Sequence, residues 1–152
     1  SEGPASVPLE SSAVLELMEA RRVLDPAIAS EAARRASPSD MTKIRRVILS
    51  TRENLDDITH RASSDYDFHL AMASATQNFV FVNIVRMEFN LIMATHERIY
   101  ALLEDKSAFA AEHEELYEAI TVHDAERANL AASRHIDRIY RTLLGAFAMQ
   151  SR

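Results

Sequence analysis

Hydrophobic residues recur at intervals of three and four along most of this sequence, which is the period of an amphipathic helix. In the first such stretch, Val14, Leu17, Met18 and Leu24 form one apolar stripe. No segment alternates residue by residue between apolar and polar side chains, as a half-buried strand would. The pattern predicts an all-α fold, an antiparallel bundle of about six or seven helices. The predicted helices cover about residues 11–36, 38–60, 64–75, 79–103, 107–120 and 125–147.

Prolines and capping residues mark where these helices should begin or bend. Ser37 precedes Pro38 and Asp40, and this combination of N-cap, first-turn proline and first-turn acid predicts a helix start. Pro26 lies inside the first stripe, where it lacks the N–H that a helix needs, and predicts a bend or a new start near Asp25. Further starts are predicted at Ser63 or Ser64, at Ser107 and at Asp124, with an interruption at Asn78.

The stretch predicted at 79–103 is apolar on more than one side, with Phe81, Val85, Phe89 and Leu91 distributed around the helix. A helix of this kind is buried against several neighbours or against a second copy of the chain. The sequence therefore predicts either the central helix of the bundle or part of a dimer interface.

Composition and charge narrow the class of protein. The chain has 152 residues, enough for one domain with a sizeable core. Its formal net charge of −6 offers no basic footprint for nucleic acid, so this chain by itself is not expected to bind DNA. It contains no cysteine, which excludes disulfides and thiolate metal ligands.

The N-terminal end differs in composition from the rest of the chain. Residues 1–11 have the character of a flexible leader or linker remnant, and residues 12–152 are predicted to form the folded domain. No run of about 18 apolar residues occurs in the sequence, so no membrane span is predicted. A cytoplasmic protein is the expectation.

Asp65 and His69 are candidate metal ligands. They lie four residues apart, so on a helix both side chains leave the same face, one turn apart. His113 and His135 lie on apolar stripes, about 11 residues on either side of a short turn near 122–124. Both imidazoles can then face one point, roughly 16 Å from the turn. Together the four residues predict a metal site inside the bundle.

Each histidine taken alone is more often an ordinary surface or core residue than a ligand. His60, His96 and His123 have no partner at ligand spacing. An Asp and a His four residues apart on a helix also occur by chance. From the residues alone, a bundle whose histidines are satisfied by hydrogen bonds remains an alternative to the metal site.

Three motifs in order resemble those of one known family. Residues 21–26 are similar to an Arg-x-x-Leu-Glu-Pro opening, with aspartate in place of the glutamate. Residues 65–69 are similar to an Asp-x-x-Phe-His motif followed by an asparagine, here Asn78, and 113–135 to a segment with paired histidines. Together they resemble the effector-binding C-terminal domain of the FadR subfamily of GntR-type bacterial transcriptional regulators.

The resemblance implies a site and its ligands. In that family the aspartate and three histidines bind a divalent cation, and the opening arginine helps to hold an acidic effector. The implied cation is Zn²⁺, with Ni²⁺ or Mn²⁺ as alternatives, and the implied effector is a small organic acid. Carried over, the metal ligands are Asp65, His69, His113 and His135, and the effector contact is Arg21. Asn78, Arg86 and Arg98 are further candidate effector contacts from neighbouring helices.

The resemblance also implies a regulatory homodimer and not an enzyme. The DNA-binding winged helix of such regulators is absent from this chain, so DNA would be contacted only through an attached upstream domain. His123 stands where the family commonly has glycine, a departure that affects a turn and leaves the site intact.

Two other functions stay open from the residues. An open position on a metal can activate water, as in metal-dependent hydrolases. The sequence offers no convincing general base beside the ligands: Asp67 and Glu112 are close to them in the chain, but Asp67 is two residues from Asp65 and points away on a helix. The other alternative is a metal-free helical dimerisation module.

Overall fold

The computed structural model describes residues 10–150. Within this range the chain forms seven α-helices and no strand, which confirms the predicted all-α fold. The predicted leader, 1–11, lies almost entirely outside the described residues. The helices are α1 (Ser11–Arg35), α2 (Pro38–Glu53), α3 (Ile58–Ser74), α4 (Phe79–Ile92), α5 (His96–Leu102), α6 (Lys106–Thr121) and α7 (Ala125–Gln150).

The two longest helices, α1 and α7, pack along each other, and α6 lies against both α7 and α2. α3 packs between α2 and α4 and also touches α1 and α5, so it is the inner helix of the bundle. None of the helices within residues 10–150 is both long and apolar enough to cross a membrane. The largest fully buried apolar side chains are Met18, Ile28, Ile44, Phe68, Met72, Leu116, Ile120, Ile136 and Leu143.

α1 is continuous through Pro26, so the prediction of a new helix start near Asp25 is wrong. Proline removes one hydrogen bond of the helix ladder, and contacts with α7 offset that loss. The carbonyl of Pro26 accepts a hydrogen bond from Asn129 Nδ2 at 3.2 Å. One turn further on, Ser30 Oγ donates to the carbonyl of Ala125 at 3.0 Å. Tertiary contact thus holds a helix that local propensity would interrupt.

α3 begins earlier than predicted, directly after Asp57. The carboxylate of Asp57 caps the helix by accepting a hydrogen bond from the His60 N–H at 3.1 Å. The predicted continuation of the second helix to His60 and the predicted cap at Ser63 or Ser64 are therefore wrong. Ser64 lies within α3, where its hydroxyl donates to the His60 carbonyl at 2.7 Å.

The stretch 79–103 is divided into α4 and α5, and not one long helix. Asn78 caps α4 by accepting a hydrogen bond from the Val80 N–H at 3.0 Å, so the predicted interruption is confirmed. Thr95 ends the segment after α4, because its N–H and its hydroxyl both donate to the Ile92 carbonyl, at 2.9 and 3.1 Å. This tight turn redirects the chain into α5.

Of the two caps predicted for the last two helices, one is wrong and the other is confirmed. α6 follows Asp105, whose carboxylate accepts from the Ala108 N–H at 2.9 Å, so the predicted cap at Ser107 is wrong. Asp124 caps α7 as predicted, by accepting from the Arg127 N–H at 3.0 Å.

The turn between α6 and α7 contains His123 in the left-handed region, with φ 56°. Non-glycine residues adopt this conformation at a cost. His123 Nδ1 lies 2.8 Å from the carbonyl of Ala33 and must donate to it, since a carbonyl only accepts. This bond ties the turn to the end of α1. α6 and α7 then run antiparallel, with Arg127 paired to Glu115 across the turn at 2.7 Å.

Candidate metal centre

Four buried side chains converge between α3, α6 and α7. α3 presents Asp65 and His69 from one face, α6 presents His113 and α7 presents His135. Each is at most 3% exposed. One ligand-type atom from each of the four lies within 4.8 Å of the others. The structure therefore brings together all four predicted metal ligands.

The atoms that face one another in this cluster lack hydrogen-bond partners. They are Asp65 Oδ1, His69 Nε2, His113 Nε2 and His135 Nε2, all buried. Asp65 Oδ1 lies 3.2 Å from the nitrogen of His69 and 3.1 Å from that of His113. Donor atoms about 2.1 Å from a shared ion lie roughly 3.0 to 3.4 Å apart, so these spacings fit a divalent metal. Without an ion, each orphaned polar atom costs about 1–3 kcal/mol.

Contacts outside the cluster orient two of the four side chains. Glu112 on α6 lies 3.0 Å from His135 Nδ1, and Arg138 binds the same carboxylate at 2.6 and 2.8 Å. His135 therefore donates through Nδ1 and keeps the lone pair of Nε2 toward the cluster. On the other side, the hydroxyl of Tyr100 donates to Asp65 Oδ2, which leaves Oδ1 toward the histidines.

Aromatic packing fixes the planes of the imidazoles. The Phe68 ring stacks on His113, with centroids 4.1 Å apart and an interplanar angle of 8°. Phe109 contacts the same imidazole, at 4.4 Å between centroids. Phe89 packs against His69 at 5.5 Å. These apolar neighbours exclude water and restrict each ligand to a narrow range of orientations.

Burial and neighbouring charges set the protonation states of His113, His135 and Asp65. Burial lowers the pKa of His113 to about 4, and it also lowers the pKa of His135, so both imidazoles are neutral near pH 7. Burial alone would raise the pKa of Asp65, but His69 and His113 outweigh it and hold that pKa well below its usual range. Neutral imidazoles and an ionised carboxylate are the states that a metal binds.

A second buried polar group lies beside the cluster, between α1 and α4. Arg21, only 2% exposed, donates from Nε and Nη2 to Asp25 Oδ2 at 3.1 and 2.9 Å. Glu88 Oε2 lies 3.9 Å from Arg21 Nε. Burial, with the nearby charge of Asp25, raises the pKa of Glu88 to about 7. The guanidinium of Arg21 also lies over the Phe89 ring, 5.1 Å from its centroid.

Glu88 was not predicted, although the sequence contained a signal for it. Val85, Glu88, Phe89 and Ile92 all lie on the buried stripe of α4. An acid at a stripe position of an otherwise apolar helix is a conflict between pattern and residue type, and such conflicts occur at functional sites.

The other predicted site residues lie outside the metal cluster. Asn78 caps α4, and its role as an effector contact stays a prediction. Arg86 and Arg98 are exposed, and Arg98 lies over the Phe147 ring at 5.8 Å. Asp67 is exposed, as the helical geometry predicted. Glu112 lies on the outer nitrogen of His135, where it orients the ligand, and this position does not suit a general base on the inner side.

Comparison with protein families decides the assignment. The sequence model of the FCD domain family matches residues 16–138 of the chain. The chain belongs to the FCD domain family. The resemblance to the effector domain of GntR-type regulators, which was read from three motifs, is thereby confirmed.

Curated relatives of this FCD domain are transcriptional regulators. It is 30% identical over 132 residues to the "Putative L-lactate dehydrogenase operon regulatory protein" of Escherichia coli (strain K12), covering 84% of this chain and 50% of the relative. It is 30% identical over 148 residues to the "Uxu operon regulator" of Haemophilus influenzae, covering 90% of this chain and 55% of the relative. The chain thus spans about half the length of these relatives. Because the relatives are regulators, the prediction that the chain is not an enzyme is confirmed.

A solved structure shows the same fold. The protein called Streptococcus agalactiae GntR superposes on the FCD domain with a TM-score of 0.72, over 90% of this chain and 62% of that one. The two sequences are 21% identical, so the likeness concerns the fold alone.

Proposed function

We propose that this FCD domain is the ligand-sensing part of a GntR-type transcriptional regulator and that it binds a divalent metal together with a small carboxylate. The observation that carries the proposal is the set of four orphaned donor atoms on Asp65, His69, His113 and His135, which face one another in a water-excluded interior. Such a cluster is costly unless a ligand satisfies it.

The donor set suits Zn²⁺ best, with Ni²⁺ or Mn²⁺ as alternatives. Three neutral imidazoles and one carboxylate are typical ligands of these ions. The ion supplies a fixed positive charge inside the bundle, which attracts a carboxylate. Arg21, buried beside the cluster, supplies a second positive charge for the same ligand.

Ligand binding at this site can change the arrangement of the bundle, because the site joins separate helices. Asp65 and His69 lie on α3, His113 on α6 and His135 on α7, while Arg21 lies on α1. A ligand held by all of them favours one arrangement of the bundle. In the regulator, that arrangement would set the spacing of the DNA-binding winged helices joined to this domain. The protein would act in the cytoplasm, where its operator DNA lies.

A homodimer is supported by the outer face of α4. Phe79 is 75% exposed and Met87 is 55% exposed, and Val80 and Leu91 lie on the same helix, each about half exposed. Apolar residues gathered on one helix face are typical of an interface. Sedimentation equilibrium tests this: a dimer is expected, with Met87→Lys shifting it toward the monomer.

The relatives support a small acid as effector. One is named for an L-lactate dehydrogenase operon, and lactate is a small carboxylate. Titration of metal-loaded protein with short carboxylates by calorimetry tests this part of the proposal.

Elemental analysis tests the metal site first. Protein purified without chelators or a histidine tag should contain a single metal ion per chain, and His69→Ala should contain little. His60→Ala is the matched control, since His60 lies on the same helix outside the cluster and contacts Ser50. Absence of metal from the wild type even after dialysis against Zn²⁺, Ni²⁺ and Mn²⁺ would contradict the proposal and favour the metal-free dimerisation module.

A further inference from the structure

Glu88 is the one buried acid next to the proposed site that neither the fold nor the metal explains. Among the described residues, five buried side-chain atoms lack a hydrogen-bond partner; four belong to the metal cluster and the fifth is Glu88 Oε1. Glu88 is only 2% exposed. Acids are almost never fully buried unless they are paired, so a free carboxylate oxygen here requires a reason.

Glu88 lies next to Arg21, the residue that is proposed to contact the effector. Its Oε2 lies 3.9 Å from Arg21, the expected carboxylate partner. The neighbouring residue Phe89 lies 5.1 Å beneath that guanidinium and 5.5 Å from the ring of His69. Glu88 therefore lies beside Arg21 and close enough to His69 for an electrostatic interaction, while it is outside the four-residue donor group.

Glu88 is not needed to neutralise Arg21. Asp25 already accepts two hydrogen bonds from that guanidinium, at 3.1 and 2.9 Å. The Glu88 contact is longer and lacks hydrogen-bond geometry. A second carboxylate with an unused oxygen is thus left facing the interior, and an acceptor in this place is complementary to a ligand that donates a hydrogen bond.

We propose that Glu88 Oε1 accepts a hydrogen bond from a hydroxyl group of the effector, so that the effector is a small hydroxycarboxylate. The inference rests on the proposed function, in which the carboxylate of the same molecule is held by the metal and Arg21. A hydroxyl suits the place better than an ammonium group, because an ammonium next to a metal-bound carboxylate would lie close to the positive charge of the cation.

Glycolate, acetate and glycine test the proposal, since they differ only in the group next to the carboxylate. Each is titrated by calorimetry at about pH 8, above the pKa of Glu88, so that its carboxylate is charged and only accepts, into zinc-loaded wild type, Glu88→Met and Glu88→Gln. The wild type is expected to bind glycolate at least about tenfold more tightly than acetate, the value of one hydrogen bond to a charged group, and more tightly than glycine. Glu88→Met should bind the two acids equally and keep its affinity for acetate. Glu88→Gln, which retains an acceptor oxygen, should keep part of the preference.

Two controls separate recognition from folding. Glu88→Met should keep its metal and should unfold at a temperature at least equal to that of the wild type, because it removes an unsatisfied buried group. If it fails to fold, Glu88→Leu takes its place. Glu104→Met, an exposed acid outside the site, should leave all three affinities unchanged.

Four results would overturn the inference. Full preference for glycolate in Glu88→Met would show that the metal, and not Glu88, reads the hydroxyl. Tighter binding of glycine than of glycolate would exclude a hydroxyl as the recognised group. Equal binding of acetate and glycolate by the wild type would overturn this inference alone, whereas failure of any carboxylate to bind the metal-loaded protein would overturn the carboxylate part of the proposed function as well.

Discussion

Single side chains decide the chemical state of the candidate metal centre. His135 presents Nε2 to the cluster because its Nδ1 donates to Glu112, and Glu112 is held in turn by Arg138. Burial would raise the pKa of Glu112, but the hydrogen bonds from His135 and Arg138 outweigh it and lower the pKa to about 2. The carboxylate therefore stays charged and keeps the imidazole in the tautomer that can bind a metal.

Replacing Glu112 tests this arrangement. Glu112→Gln removes the charge that orients His135, and zinc affinity should fall by about 10-fold to 100-fold. Competition with a chromogenic chelator measures the change. Glu115→Gln is the matched control on the same helix, since Glu115 pairs with Arg127 away from the cluster. Equal zinc affinities for all three proteins would show that the outer carboxylate does not act on the ligand.

Glu88 should make the stability of the metal-free protein depend on pH. Its pKa is raised from 4.5 to about 7, facing Arg21, Asp25 and His69, so between these values the folded state binds more protons than the unfolded state. The stability that Glu88 contributes is present below pH 4.5 and is lost as pH rises through about 7.

Comparison with Glu88→Gln isolates this effect. The free energy of unfolding of the wild type, relative to that of the variant, should decline between pH 5 and 8, by about 3 kcal/mol at most. Urea denaturation of chelator-treated protein at several pH values measures it. A constant difference across this range would contradict a raised pKa for Glu88.

At the scale of helices, short polar side chains determine where each element begins. The predicted cap at Ser37 is confirmed: Ser37 Oγ accepts from the Asp40 N–H at 3.1 Å, while Asp40 accepts from the Ser37 N–H at 2.9 Å. Both residues are close in sequence, so this cap can be predicted from the sequence alone. The caps at Asp57 and Asp105 were missed because several capping residues stood near each boundary, and local pattern does not choose between them.

Ser37→Ala should destabilise the protein by about 1 kcal/mol, because it removes the acceptor for the first turn of α2. Ser39→Ala is the control, since Ser39 is exposed in the same turn, and it should change stability by less than about 0.5 kcal/mol. Urea denaturation gives both values. Equal losses in the two variants would mean that the cap does not contribute as the geometry indicates.

At the scale of the whole molecule, the candidate centre joins α3, α6 and α7, helices whose ligands are far apart in sequence. A ligand that binds only the folded state stabilises it by mass action. Zinc at about 100 times its dissociation constant should add about 2.7 kcal/mol, which raises the melting temperature by roughly 5 to 10 °C for a domain of this size.

Thermal unfolding with and without added zinc measures this stabilisation. Asp65→Asn keeps the size of the side chain and removes its charge, and the zinc-dependent rise should be largely lost in this variant. The same rise in both proteins would place the zinc at some other site.

The sequence by itself determined the features that depend on local pattern. Apolar spacing of three and four residues predicted helices, and the spacing of Asp65 and His69 put two donors on one face. An equal distance of His113 and His135 from one turn predicted that they would meet, and their ring centroids lie 5.0 Å apart. Three ordered motifs then predicted the family, which the FCD match confirmed.

Only the tertiary structure decided the features that depend on residues distant in sequence. α1 continues through Pro26 because α7 supplies contacts that no local rule contains. Glu112 orients His135, and Glu88 lies beside Arg21, only because packing brings α6 to α7 and α4 to α1. Local periodicity fixes which face of a helix is buried, whereas the choice of neighbour depends on how all faces pack together, and that choice placed the charged groups around the site.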